Sequence, residues 1–329
     1  MIGLRVVVLL AAAVAALAGP AKAQGQGQDY PNRAVTIVAP AAPGGLYSLF
    51  ARLIGSKLEQ RLGKPFIVEN RPGASSIVGA MSVIRAPHDG YTLMVANTSG
   101  LAANVSLHKS LPYDPVKDFA PIALLAYVPE VLVVNAALPV HSLADLAQLA
   151  KTTPGGLTYG SAGAGTAQHL SGVLLGSLLG APLTHVPYKG MSPAINDVAG
   201  GHIPFMFSPI PFAQPLAQAG KLRMLGVTTS ARIASMPDVP TLTELGVMGF
   251  GSSSWFMLVA AAGTPPGIVE TLHREVRTVT QDPQVQAEFT RLGLEPVRSP
   301  PPNELSRFVA AEIARLRDIV QKSGMAGSQ

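Results

Sequence analysis

Cysteine is absent from the 329-residue chain, which excludes disulfides and every metal or redox site built on thiolate ligands. Charged residues are also scarce, at 13%, and the net charge of +5 comes without any cluster of lysine or arginine. A charge so mild and so scattered argues against nucleic-acid binding. Beyond the N-terminus no run of residues is apolar enough to predict a membrane-spanning helix. We expect no nucleic acid, metal or cofactor.

The first 23 residues have the three parts of a secretory signal peptide. Arg5 supplies the positive charge, a 12-residue apolar run follows, and Ala21-Lys22-Ala23 is a small-x-small cleavage site. The alternative is a membrane anchor, but this run is shorter than the roughly 20 residues that a spanning helix needs. We predict export to the periplasm with cleavage after Ala23. The mature chain then keeps 22 basic and 19 acidic residues, a net charge of +3.

Short apolar segments alternate with helical patterns through the rest of the chain, which predicts parallel sheets covered by helices. Two of these units resemble each other: VTIVAP enters a helix over 46–61 through a glycine turn, and LTYGSAG enters TAQHLSG in the same way. Each unit opens one half of the chain. The sequence therefore predicts two α/β domains that face each other.

The first glycine loop (residues 40–45) joins a predicted strand to a predicted helix. Gly44 and Gly45 permit close backbone approach, and Tyr47 and Ser48 add hydroxyls at the helix start. A helix start presents free N–H groups at the positive end of the helix dipole. The loop is either a seat for a carboxylate or phosphate or an ordinary tight turn, and the residues alone leave both open.

The second glycine loop (residues 160–166) contains three glycines, Gly160, Gly163 and Gly165, together with Ser161 and Thr166. It reads G-x-G-x-x-Q, so it departs from the dinucleotide fingerprint, and no Gly-Lys-Ser/Thr follows to make a P-loop. His169 falls on the first helical turn after it. That histidine either reaches a ligand in the loop or has a structural role.

Other strand ends offer hydroxyls that could reach a ligand, because open α/β sheets bind ligands beyond the carboxyl ends of their strands. These candidates are Thr98, Tyr188 and Ser208, with helix capping or packing as the alternative. Trp255 is predicted to pack in the core or near a hinge. Acids are missing from 31–58 and 90–113, and only Asp197 interrupts the run 146–236. Such surroundings favour an anionic ligand, although a chain with few charges contains such runs by chance.

Catalysis has no positive support in the sequence. A nucleophile elbow needs G-x-S-x-G, and Tyr159 stands where the first glycine would precede Ser161. The seven histidines form no H-E-x-x-H. We expect a binding protein and no enzyme. Two alternatives stay open: a sensory protein that presents its ligand to a membrane receptor kinase, and a secreted hydrolase using Ser48 or Ser161.

Several long motifs together resemble the Bug family, the periplasmic substrate-binding proteins of tripartite tricarboxylate transporters. They occur in order over essentially the whole mature chain and include APAAPGGLYSLFARL, YGSAGAGTAQHLSG, HVPYKG, GKLRMLGVTTSAR and AAGTPP. The resemblance implies the type II periplasmic binding protein fold, with one domain from 24–124 and 250–329, a second from 125–249, and a ligand cleft between them. It implies a small carboxylate as ligand and a permease of one large and one small membrane subunit as partner. We expect a monomer.

The resemblance also implies that the two glycine loops grip a ligand carboxylate from opposite domains. Carried over by position, the gripping residues are Ala42, Gly44, Gly45, Tyr47 and Ser48 on one side and Ser161, Gly163, Gly165, Thr166 and His169 on the other. One position departs from the family pattern P-G-G-x-x-D-x-x-A-R, since Ser48 stands where aspartate is common. That loss removes a partner for a ligand amine. We therefore expect an amine-free ligand, such as a di- or tricarboxylate or an aromatic carboxylate.

Overall fold

The computed structural model describes residues 30–248, 250, 253–322 and 324–328, so the predicted signal peptide lies outside the described residues. All elements named below belong to one compact unit that begins at Pro31. The strands are β1 (Val35–Ala39), β2 (Phe66–Asn70), β3 (Thr92–Asn97), β4 (Phe119–Val128), β5 (Glu130–Asn135), β6 (Leu157–Ser161), β7 (Leu183–Pro187), β8 (Phe205–Pro209), β9 (Leu222–Val227), β10 (Ser254–Ala261) and β11 (Glu295–Pro296).

The helices start soon after the strands, as the alternating pattern predicts. They are α1 (Leu46–Leu62), α2 (Ile77–Ile84), α3 (Asn104–Leu107), α4 (Leu143–Thr152), α5 (Ala167–Leu179), α6 (Met191–Ala199), α7 (Ile210–Gln218), α8 (Pro266–Thr280), α9 (Pro283–Arg291) and α10 (Pro302–Lys322). A 3₁₀ turn at Ala74–Ser76 precedes α2, and a π-helical turn at Ser99–Ala103 leads into α3. No helix among the described residues is both long and apolar enough to cross a bilayer.

The first lobe is a six-stranded sheet with the strand order β11-β4-β10-β3-β1-β2. Strands β1, β2 and β3 pair in parallel, whereas β10 runs antiparallel to both β3 and β4. The second lobe is a five-stranded sheet with the order β7-β6-β8-β5-β9. There β6 is parallel to β7 and β8, and β5 is antiparallel to β8 and β9. The prediction of parallel sheets was therefore wrong for the strands next to the crossings.

The antiparallel strands have a physical cause in the chain path. Strand β4 ends at Val128 in the first sheet and β5 begins at Glu130 in the second, so one residue separates the sheets. The chain returns to the first sheet at β10. A strand that arrives from the other lobe has no crossover helix to reverse it, and parallel pairing needs such a crossover. Strand β4 itself, FAPIALLAYV, was missed because its apolar run reads as continuous with the strand after it.

Alternation along β5 divides the core of the second lobe between the two faces of its sheet. Val131 and Val133 pack on one face with Met206, while Leu132 and Val134 pack on the other with Phe205. In the first lobe, the core includes residues of β1, β3, β10 and the closing helix α10. Trp255 is one of them, buried against Phe308, as predicted. Two α/β lobes are confirmed, and the boundaries at 124 and 249 stay a prediction.

Candidate functional site

A cavity of about 700 Å³ lies between the two lobes. Its wall draws on both sheets, because it contains residues from the first and second glycine loops, the turn at 72–76, the crossing at 128–130, and the start of β10. Residues 188–193 and Phe212 complete it on the side of the second lobe. The predicted ligand cleft therefore corresponds to a cavity in the structure.

The first glycine loop leaves the start of α1 open toward the cavity. Gly45 is the N-cap residue, in an extended conformation, and no side chain caps the helix. The first turn of α1 carries no acid, and Leu46 and Tyr47 line the cavity. The first N–H groups of a helix have no intrahelical partner, so this turn offers donors and a positive dipole end to an anion. Gly44 supplies the bend, with φ at +91°.

The second glycine loop is held together by its own side chains. Ser161 Oγ accepts from the Gly163 N–H (3.1 Å) and lies 2.6 Å from His185 Nε2. Thr166 Oγ1 donates to the Gly163 carbonyl (2.8 Å), and the Gly165 N–H donates to His169 Nδ1 (3.1 Å). Thr166 is the N-cap of α5, again without a side-chain cap bond. This loop presents a second helix start to the cavity, in a fixed shape.

Two stacked imidazoles support the second loop from behind. The rings of His169 and His185 lie 3.7 Å apart and nearly parallel. Burial lowers the pKa of His169, and burial together with the neighbouring His169 lowers the pKa of His185 to about 4. Both rings are therefore neutral near pH 7. They brace the loop through hydrogen bonds and add no positive charge to it.

A third helix start borders the cavity at Gly190, the N-cap of α6, which likewise has no side-chain cap. Next to it, the Tyr188 hydroxyl donates to Asp197 Oδ2 (2.6 Å), and burial followed by this carboxylate raises the pKa of Tyr188 to about 12. Lys189 is exposed and lines the cavity. It is one of only two charged residues among those described on the wall, and the other is Glu130.

Six of the residues predicted from the sequence line the cavity: Ala42, Gly45, Tyr47, Gly163, Thr166 and Tyr188. The other seven lie outside its lining: Gly44, Ser48, Thr98, Ser161, Gly165, His169 and Ser208. Ser48 is buried and accepts from Asn70 (2.7 Å), and Thr98 accepts from the Trp255 N–H (2.8 Å). The Ser208 hydroxyl is fully buried and donates to the Pro209 carbonyl. For all thirteen, contact with a ligand stays a prediction.

Sequence reasoning missed the turn at 72–76. Three successive residues there, Ala74, Ser75 and Ser76, have positive φ, a region that non-glycine residues seldom occupy. Partners hold this turn: Asn104 Nδ2 donates to the Ser75 carbonyl (2.9 Å), and Tyr47 Oη lies 3.2 Å from Ser76 Oγ. Gly73, with φ at +135°, was the signal in the sequence, because an R-P-G turn after a strand marks an unusual backbone path.

Comparison with known proteins agrees with this architecture. The family model described as "Tripartite tricarboxylate transporter family receptor" matches residues 50–325. Protein BugT of Bordetella pertussis is 34% identical over 313 residues, which is 95% of this chain and 94% of BugT.

Three solved structures are similar throughout. R. palustris Rpa4515 with adipate has a TM-score of 0.86 at 36% identity, over 90% of this chain and 99% of that one. The periplasmic binding protein BugD has a TM-score of 0.84 at 31% identity, and the match covers 90% of this chain and 99% of BugD. MatC from Rhodopseudomonas palustris with bound malate has a TM-score of 0.82 at 35% identity, and the match covers 88% of this chain and 100% of MatC. With its two α/β lobes and interlobe cleft, the chain has the type II periplasmic binding protein fold, and it belongs to the Bug family of tripartite tricarboxylate transporter receptors.

Proposed function

We propose that this protein captures a small organic carboxylate, with a dicarboxylate the best candidate, in the cleft between its lobes. The observation that carries the proposal is the wall itself: helix starts from both lobes border one cavity, without side-chain caps and without acids in their first turns. Backbone N–H donors bind a carboxylate through charge-assisted hydrogen bonds, which are stronger than neutral ones. Similar proteins bind adipate and malate, which supports this ligand class.

Capture follows from the position of the donors on two lobes. A carboxylate held by the start of α1 and by the start of α5 contacts both lobes at once. Such a ligand favours a closed arrangement of the lobes over an open one. The shift between the two is set by how much more tightly the ligand binds the closed arrangement. One direct bond already links the lobes here, from Ser99 Oγ to the Gly165 carbonyl (3.3 Å).

The proposed place of action is the periplasm, with removal of residues 1–23, and the proposed partner is a membrane permease of one large and one small subunit. The family's description as a transporter receptor and the periplasmic relative BugD support both. Delivery then consists of docking on the permease and release of the ligand. We propose that the protein acts as a monomer.

Binding without turnover is the activity that we propose. Ser161 does lie 2.6 Å from His185 Nε2, which is the spacing of a nucleophile and its base. However, Ser161 has no exposed surface and is outside the lining of the cavity. A substrate in the cleft would have to pass the loop backbone to reach that hydroxyl. We therefore propose that this pair braces the loop. If the protein preparation hydrolyses an ester or amide at all, Ser161→Ala should leave that rate unchanged.

The ligand is proposed to lack an amine. Ser48 replaces the acid common in the family at this position, and its hydroxyl is turned into the lobe, where Asn70 bonds it. A ligand ammonium therefore has no carboxylate partner at the start of α1. The prediction is that di- or tricarboxylates or aromatic acids bind better than aspartate or glutamate.

Thermal unfolding of refolded, ligand-stripped protein tests the proposal. The panel is adipate, malate, citrate, benzoate, aspartate and glutamate. A ligand present at about 100 times its dissociation constant stabilises the fold by roughly 2.7 kcal/mol, which raises Tm by a few degrees in a chain of this size. A shift from one amine-free acid class supports the proposal. No shift from any acid, in protein whose circular dichroism shows refolding, contradicts it.

A further inference from the structure

Glu130 is the one acidic side chain among the described residues of the cavity wall. It is the first residue of β5, directly after the chain crosses from the first lobe, and only 3% of its surface is exposed. It also faces a small side cavity behind the cleft. An ionised carboxylate at this depth faces any anion that enters the cavity. Two negative charges repel each other strongly where water is excluded.

The partners of the Glu130 carboxylate suit either protonation state. Gln168 Nε2 donates to Oε1, and Ser171 Oγ donates to Oε2 (3.1 Å). A hydroxyl can donate or accept, so Ser171 can reverse its role and accept from a protonated carboxyl. Burial raises the pKa of Glu130 to about 7, against these two bonds, which lower it. Both forms are therefore accessible near neutral pH.

Other charged groups around Glu130 leave its charge without an opposite partner. On α10, Arg315 lines the side cavity, but its guanidinium is paired with Glu312 (2.8 Å). The side chains around Glu130 that come from α5, from the residues just after β3 and from the start of β10 are neutral: Gln168, Ser171, Thr98, Ser99 and Ser254. Lys189, on the wall of the second lobe, is the one basic residue of the described lining. The imidazoles of His169 and His185 lie behind the loop and have lowered pKa values through burial.

We propose that Glu130 sets the charge selectivity of the cleft, so that capture of a doubly charged carboxylate is accompanied by uptake of one proton on the Glu130 side chain. This inference rests on the proposed function. The proton comes from solvent and converts the carboxylate to a neutral carboxyl, which removes repulsion from the entering anion. At pH well above 7 the ligand must drive this protonation, and its apparent affinity falls.

The test is calorimetric titration of adipate and malate between pH 7 and 8.5, in HEPES and in Tris, which differ in ionisation enthalpy and avoid phosphate as a competing anion. Both acids are essentially dianions over this range. For the unaltered protein we expect affinity to fall by up to about tenfold per pH unit above pH 7. At pH 8.5 the buffer dependence of the enthalpy should report nearly one proton taken up, and at pH 7 a smaller fraction, because Glu130 is already partly protonated there. Glu130→Gln keeps the size and hydrogen bonds of the side chain, and should bind about tenfold tighter at pH 8.5 with no pH dependence.

Glu270→Gln is the matched control, because it removes the same charge from an exposed site on α8, and it should keep the pH profile of the unaltered protein. Flat affinity with no proton uptake in the unaltered protein overturns the inference, as does an unchanged slope in Glu130→Gln. If that variant does not fold, the proton count of the unaltered protein decides. Tighter binding of 2-aminoadipate as pH rises, lost in Glu130→Gln, would assign Glu130 to ammonium recognition and also overturn it. Failure of every acid to bind at any pH overturns the proposed function as well.

Discussion

The two glycine loops occupy equivalent places in the two lobes but are built differently. The second is tied by Ser161, Thr166 and His169 and is packed against its surroundings. The first is tied mainly from outside, by Asn70, and Ala42, Pro43 and Gly44 in it are exposed. An alanine Cβ at Gly165 would lie 2.6 Å from Leu107, whereas at Gly44 it would meet nothing within 4 Å.

This difference indicates that the two loops have different roles in ligand binding. A loop with its donors already fixed loses little entropy when a carboxylate arrives, which favours affinity for any ligand with that group. A loosely held loop adjusts to the rest of the ligand. We infer that the second loop anchors the carboxylate and that the first loop adapts to the ligand's shape. The predictions below test this contrast.

Gly165→Ala is expected to change the free energy of unfolding more than any other substitution considered. Gly165 has φ of +75°, and the new Cβ would press on the fully buried Leu107. Strain and overpacking together should lower the free energy of unfolding by about 2–4 kcal/mol. The matched change Gly44→Ala, which meets only backbone strain, should cost about 1 kcal/mol. Urea denaturation measures both, and equal losses would remove the contrast between the loops.

Acid should loosen the second loop selectively. Folding depresses the pKa of His185 from 6.5 to about 4, through burial and then the adjacent His169, so the unfolded chain binds more protons between these values. This stability is therefore full above pH 6.5 and is lost as pH falls toward 4. Because His185 is only half-buried, solvent screening limits its contribution to about 1–2 kcal/mol. His185→Gln should flatten the unfolding free energy across this window. A slope unchanged in that variant would show that other groups titrate there.

Removal of the brace on the first loop should have a smaller effect. Asn70 Nδ2 donates to the Ala41 carbonyl (2.8 Å) and to Ser48 Oγ (2.7 Å). Asn70→Ala should therefore cost about 1–2 kcal/mol. Amide hydrogen exchange should accelerate in residues 40–48 and stay unchanged in 161–169. Faster exchange in both loops would mean that the lobes share one network of support.

The smallest expected effect comes from the Tyr47 hydroxyl. Tyr47→Phe loses the contact with Ser76 Oγ but keeps the edge of the ring against Phe256, with centroids 5.1 Å apart. Stability should fall by at most about 1 kcal/mol, and adipate affinity by a few fold. Tyr188→Phe is the matched change in the second lobe, where the bond to Asp197 is lost. A loss of more than tenfold in affinity for Tyr47→Phe alone would place that hydroxyl on the ligand.

Local pattern in the sequence was enough to predict the two lobes, both glycine loops and the packing of Trp255, because each depends on strand, turn and helix signals that lie close together in the chain. It was not enough for facts that depend on distant pairing. His169 turns back to Gly165 because His185 stacks behind it from another strand. Glu130 was overlooked within the apolar run YVPEVLVV, because only the crossing between sheets places it on the cleft.

The most direct test of the account compares adipate with adipamide, its uncharged diamide, by calorimetric titration at pH 6. The two ligands share length and shape, and only the acid offers carboxylates to the helix starts of the two lobes. We predict that adipate binds at least about a hundredfold more tightly, since hydrogen bonds to a charged group are each stronger by about 1–2 kcal/mol than neutral ones. Equal affinity for the acid and the amide would contradict the claim that this cleft recognises a carboxylate.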